Sequence, residues 1–193
     1  YHQNIVDDGI GNKLKTELFD YLNMSSVEQL NIQLIDESRP IVQEGQFNYN
    51  KKLHTECKDW VSLYGFFQTE KYFKNVEDII RSDFTFKDEI LDPCREMMSG
   101  IDGQVIALHI RRGDYLTNSN NHNVLGLDYY VKALSKFPKD ATVIVFSDDS
   151  EWCHNQDIFS EDRFMISNNE NGYIDMCLMS MCTDFIIANS SFS

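Results

Sequence analysis

The stretch Val105-Ile106-Ala107-Leu108-His109-Ile110-Arg111-Arg112-Gly113-Asp114-Tyr115 decides the fold of this chain. Its first half is an apolar run of the kind found in β-strands that are buried on both faces. Two arginines follow directly, so two guanidinium groups are expected at the carboxyl end of that strand. Ligands of open α/β sheets bind at that edge, and paired guanidinium groups suit a phosphorylated ligand, above all a nucleotide diphosphate.

Strand and helix patterns alternate after the turn that contains Gly100 and Gly103. Asp128 and Ser150 are the expected N-caps of two of the helices. The alternation predicts a parallel sheet flanked by helices, with ligand-binding loops after each strand. The predicted strands cover residues 105–110, 142–146, 163–166 and 184–188, and the predicted helices cover residues 128–137, a short segment from 150, and 173–181.

The first hundred residues carry less information. Apolar residues at helical spacing over residues 1–37, namely Leu14, Leu18, Tyr21 and Leu22, predict helices. Residues 60–67 have the aromatic and branched content of a buried strand, and residues 73–86 are typical of a helix that ends near Asp83. The predicted boundary lies at residues 100–103, which separates a mostly helical region, 1–100, from a Rossmann-like region, 101–193.

Composition excludes several classes of protein. Lys and Arg number 17 against 31 Asp and Glu, a net charge of -14, which is a poor surface for nucleic acid or anionic lipid. Arg111 and Arg112 therefore stand out as a basic pair in an acidic chain, although surface ion pairs would be a simpler role. No apolar run reaches about 18 residues, so no membrane segment is expected in this chain. The expected location is the cytoplasm, with membrane association if the source is microbial.

Five cysteines, with no Cys-x-x-Cys pair, indicate neither a disulfide framework nor a zinc site. Cys177 and Cys182 fall on an apolar helical pattern and are expected to be small buried residues. Asp148 and Asp149 are adjacent, so they lack the intervening residue of an Asp-x-Asp metal-binding motif. No metal and no cofactor are expected, since two arginines can neutralise phosphate charge.

Residues 109–115 resemble the His-x-Arg-Arg-Gly-Asp-Tyr signature of the α-1,2-fucosyltransferase family, which is glycosyltransferase family 11. Three further segments resemble the same family in the expected order, and together they cover roughly residues 60 to 193. They are Gly65-Phe66-Phe67-Gln68-Thr69-Glu70-Lys71-Tyr72-Phe73, then Phe146-Ser147-Asp148-Asp149 with Trp152, then Ala188-Asn189-Ser190-Ser191-Phe192-Ser193.

The resemblance implies an inverting glycosyltransferase of the GT-B type that moves L-fucose from GDP-fucose to the 2-hydroxyl of a terminal galactose-type acceptor in a glycan or polysaccharide. Residues 1–100 would then be the acceptor-side region, and residues 101–193 would be the GDP-sugar-binding domain. A fucosyltransferase of another linkage, such as α-1,6, is one alternative, and a non-catalytic nucleotide-sugar-binding protein is another. The family usually has a Gly-Gly-Leu-Gly-Asn-rich opening and a Trp-Trp-Gly-Ala-Trp-like continuation that are not found here. We therefore expect this sequence to be the middle of a longer protein.

The catalytic candidates are Asp114, Arg112 and His109. Asp114 is a candidate general base for the acceptor hydroxyl, although it could equally bind Arg112 or cap the loop. His109 could position the sugar or the nucleotide, or be structural. The resemblance assigns Arg111 and Arg112 to the donor's phosphates, where they would stabilise the departing GDP.

The remaining binding candidates follow the other strands. Ser147, Asp148 and Asp149 could hold ribose, base or acceptor hydroxyls, or only cap the next helix. The resemblance places a guanine-binding carboxylate at Asp175, which could also be a first-turn acid favoured by the helix dipole. Backbone N–H groups and hydroxyls of Asn189, Ser190 and Ser191 could cradle the diphosphate. Trp152 is expected in the core, and the block around Gln68 is given no chemistry.

Overall fold

The computed structural model describes residues 6–7, 13–14, 18–26, 39–46, 48–118 and 122–193. Two compact units divide the chain, Tyr1–Lys87 and Asp88–Ser193. The division falls earlier than the predicted boundary at residues 100–103. No helix among the described residues is long and apolar enough to cross a bilayer.

The first unit is built from short elements. An antiparallel pair, β1 (Val6–Asp7) and β2 (Lys13–Leu14), is followed by helix α1 (Leu18–Tyr21). Strands β3 (Ile41–Gln43) and β4 (Ser62–Tyr64) run parallel, with α2 (Lys51–Glu56) between them in the chain. Two 3-10 turns, Glu70–Tyr72 and Lys74–Val76, precede helix α3 (Glu77–Asp83).

Three predictions for this unit need correction. Leu14 lies in strand β2 rather than in a helix, and the rest of residues 1–37 is described only in part. The buried strand over residues 60–67 is in fact the three exposed residues of β4, because a two-stranded sheet has little with which to cover its faces. The helix over residues 73–86 begins only at Glu77, since Val76 has a non-helical backbone, with φ -125° and ψ 27°.

The second unit contains a four-stranded parallel sheet. Its elements, in chain order, are α4 (Asp88–Met98), β5 (Val105–Ile110), α5 (Gly113–Thr117), α6 (Leu127–Leu134), β6 (Thr142–Ser147), α7 (Ser150–His154), β7 (Phe164–Ile166), α8 (Gly172–Met181) and β8 (Asp184–Ile186). The strand order is β7-β6-β5-β8, and every neighbouring pair is parallel. Strand β5 lies between two others, which explains why all six of its residues are buried.

Side chains of alternate residues on β5 form the core. Ile106, Leu108 and Ile110 face one side, where they pack with Tyr130 and other buried residues in a single cluster. Full burial of one such side chain contributes roughly 1.5–3 kcal/mol, so this strand anchors the unit. The four cysteines of this unit, Cys94, Cys153, Cys177 and Cys182, are buried free thiols, as expected for Cys177 and Cys182.

The predicted strands and helices of this unit are confirmed, with shifted ends. Gly126, not Asp128, is the N-cap of α6, and Asp128 lies in the first turn. Asp149, not Ser150, caps α7, because its Oδ1 accepts a hydrogen bond from the Trp152 backbone N–H at 3.1 Å. Helices α4 and α5 were not predicted; α5 begins at Gly113, inside the motif.

Candidate functional site

One edge of the four-stranded sheet collects most of the predicted site residues. Because all four strands are parallel, the loops that follow them lie at the same edge, where ligands bind in open α/β sheets. Arg111 and Arg112 follow β5, Asp148 and Asp149 follow β6, Ser167 follows β7, and Asn189 follows β8. Successive side chains of a strand point to opposite faces of the sheet. Because β5 ends at Ile110, this constraint does not apply to Arg111 and Arg112, and both side chains can point toward the edge.

Arg111 is held by two carboxylates. Its Nη1 lies 3.1 Å from Asp148 Oδ2, and its Nη2 lies 2.8 Å from Asp114 Oδ1. Its Nε is buried and has no hydrogen-bond partner among the described residues. A buried donor without a partner is uncommon, because its desolvation is not compensated. One N–H of this guanidinium is thus left for another group to satisfy.

Arg112 is fixed by a ring and a carboxylate. Its guanidinium carbon lies 3.9 Å from the centroid of the Trp152 ring, and its Nε lies 3.0 Å from Asp149 Oδ2. Only Nε takes part in this ion pair, and no terminal nitrogen of Arg112 bonds to any residue that the structure describes. Trp152 packs against the core, as predicted, but its ring also supports this cation, a contact not expected from the sequence.

Asp148 organises the loop after β5. Its Oδ1 accepts a hydrogen bond from the Arg112 backbone N–H at 2.9 Å, while Oδ2 pairs with Arg111. A Cβ atom on Gly113 would overlap the Asp148 carboxylate, so a larger residue there would displace the group that holds Arg111. Two guanidinium groups and three carboxylates leave the cluster with one net negative charge. A diphosphate must therefore compete with these carboxylates, and it meets least competition at Arg112.

Asp175 is buried in the first turn of α8. Its Oδ1 accepts hydrogen bonds from Ser167 Oγ at 2.6 Å and from Asn169 Nδ2 at 2.9 Å. Asn171 caps the same helix by accepting from the Tyr173 backbone N–H at 2.9 Å. Ser167 and Asn169 were not predicted, although both follow a predicted strand. They orient the carboxylate and leave Oδ2 for a further donor.

His109 faces the opposite side of β5 from the Ile106, Leu108 and Ile110 cluster. It is 4% exposed, its ring lies 5.3 Å from that of Phe192, and its Nδ1 has no partner among the described residues. Burial lowers the pKa of His109 to about 4, so the ring is neutral at pH 7. With Met176 and Met179 it lines a cavity of about 190 Å³. No hydrogen bond joins it to the described residues of the arginine cluster.

The loop after β8 is tied to helix α5. Tyr115 Oη donates to the Asn189 carbonyl at 3.0 Å, and Asn189 Nδ2 donates to the Asn123 carbonyl at 2.9 Å. Ser190 Oγ accepts from the Phe192 backbone N–H at 3.3 Å, while Ser191 is exposed. The hydroxyl of Ser190 is thus partly engaged, and Ser191 remains open to solvent.

Comparison with known proteins shows the family. The profile described as Glycosyl transferase family 11 matches residues 38–193. This chain belongs to glycosyl transferase family 11. No solved structure was found to match this family 11 chain.

Curated relatives include bacterial and mammalian members of the family. The Escherichia coli O-antigen biosynthesis glycosyltransferase WbnK is 35% identical over 77% of this chain and 53% of its own length. An Escherichia coli alpha-1,2-colitosyltransferase is 36% identical over 75% of this chain and 53% of its own length. The rat galactoside alpha-(1,2)-fucosyltransferase 1 is 27% identical over 72% of this chain and 45% of its own length. The family 11 chain thus spans about half the length of the relatives that it matches.

The fold of this family 11 chain brings together five of the predicted site residues by direct contact. These are Arg111, Arg112, Asp114, Asp148 and Asp149. Ser147 joins them through its Oγ, which accepts from the Asp149 backbone N–H at 3.0 Å. Asp175, in the first turn of α8 after β7, and residues 189–191, after β8, follow the two outer strands of the sheet. His109 is the one candidate that turns into the interior.

Proposed function

We propose that the protein to which this chain belongs transfers L-fucose from GDP-fucose to the 2-hydroxyl of a terminal galactose-type acceptor. One observation carries the proposal: Arg112 lies fixed on Trp152 at the carboxyl end of the central strand, with its terminal nitrogens unpaired among the described residues. Family membership supports glycosyl transfer. The names of two relatives, which specify α-1,2 linkage of fucosyl or colitosyl groups, support the linkage.

The chemistry follows from where charge develops. The acceptor oxygen forms a bond to the anomeric carbon while the bond from that carbon to the β-phosphate oxygen breaks, which inverts the configuration. The acceptor proton passes to a carboxylate, and GDP departs with an added negative charge. Arg112 and the unpaired Nε of Arg111 would stabilise that charge, so no divalent metal is required.

Asp114 is the proposed base, and its surroundings define what it must do. Its carboxylate is half-exposed and pairs with Arg111 at 2.8 Å. While this pair is formed, the carboxylate is engaged with Arg111. If a donor diphosphate takes over Arg111, Asp114 is released and can accept the proton of the acceptor hydroxyl.

Asp175 is the proposed guanine contact. A carboxylate accepts from both the N1–H and the exocyclic amine of guanine, whereas adenine offers no such pair of donors. Ser167 and Asn169 already donate to Oδ1, so both guanine donors would bind to Oδ2, which has two lone pairs to offer. The parallel sheet, with polar and charged residues after its strands, fits the nucleotide-binding half of a GT-B enzyme. We include a GT-B fold in the proposal.

Calorimetric titration with GDP, ADP and UDP, each with and without EDTA, tests the donor site. We expect GDP to bind at least tenfold more tightly than ADP or UDP, with no change on adding EDTA. A folded sample that binds none of the three would remove the donor proposal.

Transfer of a colitosyl group is a second candidate, favoured by the 36% identity to the colitosyltransferase. Colitose is fucose without its 3-hydroxyl, so both donors offer the same GDP to the arginine cluster. Parallel assays of the full protein with the two GDP-sugars separate these candidates, and linkage analysis of the product separates α-1,2 from other linkages.

A further inference from the structure

Glu44, in the first unit, is a buried carboxylate that is only half satisfied. It follows β3 and is 5% exposed. Its Oε2 accepts hydrogen bonds from the backbone N–H groups of Phe66 at 2.8 Å and Phe67 at 2.9 Å, just after β4. Its Oε1 is buried with no partner among the described residues. An unsatisfied buried carboxylate oxygen is costly, which points to a donor that comes from a ligand.

The same glutamate lines a cavity of about 630 Å³ at the carboxyl ends of the parallel strands β3 and β4. The described lining holds one carboxylate, three amide side chains and two aromatic rings, and no cationic side chain. A Cβ atom on Gly65 would lie 2.5 Å from Glu44 Cβ, so this glycine is needed for the approach of the two strand ends. The lining residues are Gln43, Glu44, Gly45, Gln46, Asn48, Tyr64, Gly65 and Phe66.

This chemistry selects an uncharged ligand rich in hydroxyl groups. Hydroxyls supply the donors that Glu44 Oε1 needs, and amide groups can both donate to and accept from them. Tyr64 is 65% exposed, so its ring is available to pack on the C–H face of a sugar. An anion would be repelled by Glu44, and a divalent cation would find one carboxylate where it needs several oxygen ligands.

We propose that this cavity binds a neutral hexose, with Glu44 Oε1 accepting a hydrogen bond from a ring hydroxyl. The assignment of that hexose as the terminal galactose-type sugar of the acceptor rests on the proposed function. Residues 65–67, directly after β4, would then form one wall of an acceptor site. The backbone N–H groups of Phe66 and Phe67 hold Glu44 in place, and the ring of Tyr64 covers the sugar.

The substitution Glu44→Gln tests the site without removing its structural contact. The Gln carbonyl oxygen can still accept from the two backbone N–H groups, while the Oε1 position becomes an NH₂ donor. Glu70→Gln, at an exposed residue that lines a different cavity, is the matched control with the same change of charge. Saturation-transfer-difference NMR with methyl β-D-galactopyranoside measures sugar binding, and calorimetry with GDP runs in parallel.

We expect saturable sugar binding that Glu44→Gln weakens about tenfold, the loss of one hydrogen bond to a charged group. Glu70→Gln should leave it unchanged, and GDP affinity should be the same in all three proteins. Sugar binding that is absent from wild-type protein that binds GDP, or equal in wild type and Glu44→Gln, would overturn the inference and leave the donor proposal intact. Sugar binding by a protein that does not bind GDP would overturn the donor proposal and leave the sugar site intact.

A second variant keeps the test decisive if Glu44→Gln melts at a much lower temperature than wild type. Tyr64→Ala removes an exposed ring of the cavity lining and leaves the carboxylate in place. Sugar affinity that falls in Tyr64→Ala supports the site, and an unchanged affinity contradicts it.

Discussion

At the scale of single residues, Arg112 combines features that surface arginines rarely share. A tryptophan ring supports its guanidinium face, a carboxylate fixes Nε, and its own backbone N–H is held by Asp148. These contacts restrict the rotamers of a long side chain before any ligand arrives. Such preorganisation reduces the entropy lost on binding and directs the remaining N–H groups to one place.

We predict that Arg112→Ala weakens GDP binding by about 10- to 100-fold, the loss of one or two charge-assisted hydrogen bonds. Arg112→Lys should recover only part of this affinity, because an ammonium neither forms the planar fork nor stacks in the same way. Calorimetry with GDP measures both.

Arg163→Ala provides the matched control. Arg163 also pairs with a carboxylate, Glu161 at 3.1 Å, and lies over a ring, Phe164 at 4.6 Å, but it precedes β7 at the other end of that strand. GDP affinity should be unchanged in this variant. Equal effects of Arg112→Ala and Arg163→Ala would show that loss of charge alone explains the result.

At the scale of elements, the loops after parallel strands act as connected supports. The loop after β7 holds Asp175 at the start of α8, and the loop after β8 is held by Tyr115 of α5. In each case the site residue takes its position from a neighbouring loop or helix. The β7–α8 loop therefore sets the geometry with which Asp175 would meet a base.

We predict that wild-type protein binds GDP more tightly than IDP, which lacks the exocyclic amine, and that Asp175→Ala removes this preference. Asn169→Ala should reduce the preference without abolishing it, since Ser167 still donates to Asp175. Competition titrations of GDP against IDP give the ratio for each variant.

Asn155→Ala is a suitable control for that series, because Asn155 donates to the Glu151 carbonyl within its own helix region and not to Asp175. An Asp175→Ala variant with the same GDP-to-IDP affinity ratio as wild type would show that Asp175 does not recognise guanine.

At the scale of the whole molecule, the position of the arginine cluster depends on the burial of β5 inside the second unit. One face of β5 packs against the α6 side, and the other carries His109 toward α8, so the strand that precedes the two arginines is buried on both faces. His109 is kept neutral by burial, and its pKa is lowered to about 4. The stability of this unit is thereby linked to pH.

We predict that falling pH destabilises the folded chain through His109. Between pH 6.5 and pH 4 the imidazole binds a proton in the unfolded chain, where its pKa is about 6.5, but stays neutral in the folded chain. The contribution of the neutral His109 to the free energy of unfolding is therefore fully present above pH 6.5 and is lost as the pH falls toward 4. Between pH 7.5 and 5 this amounts to about 2 kcal/mol. Urea unfolding at the two pH values measures the free energy of unfolding. Its decrease from pH 7.5 to pH 5 should be larger by this amount in wild type than in His109→Gln.

His154→Gln, at an exposed histidine of α7, should retain the wild-type pH dependence. A Trp60→Phe background leaves Trp152 fluorescence to report on the second unit. Parallel pH profiles of wild type and His109→Gln would contradict a lowered pKa at this position.

Local patterns were sufficient for much of the second unit. The buried run ending at Ile110, the later strands and the helix before β8 were predictable, because apolar periodicity and strand-end polar residues are local properties. The first unit was poorly predicted, since its strands are two or three residues long and periodicity needs more length. The exposed β4, expected to be buried, shows the same limit.

The family, the parallel sheet and the edge at which the arginines lie could be predicted from short stretches of chain, because each depends on local patterns. The contacts of the site residues became known only from the folded structure: Trp152 under Arg112, Asn169 on Asp175, the burial of His109, and the half-satisfied Glu44 beside Gly65. These contacts join residues from different elements, and their geometry depends on packing density and on which groups lose contact with water. Neither quantity can be obtained from the order of residues along the chain.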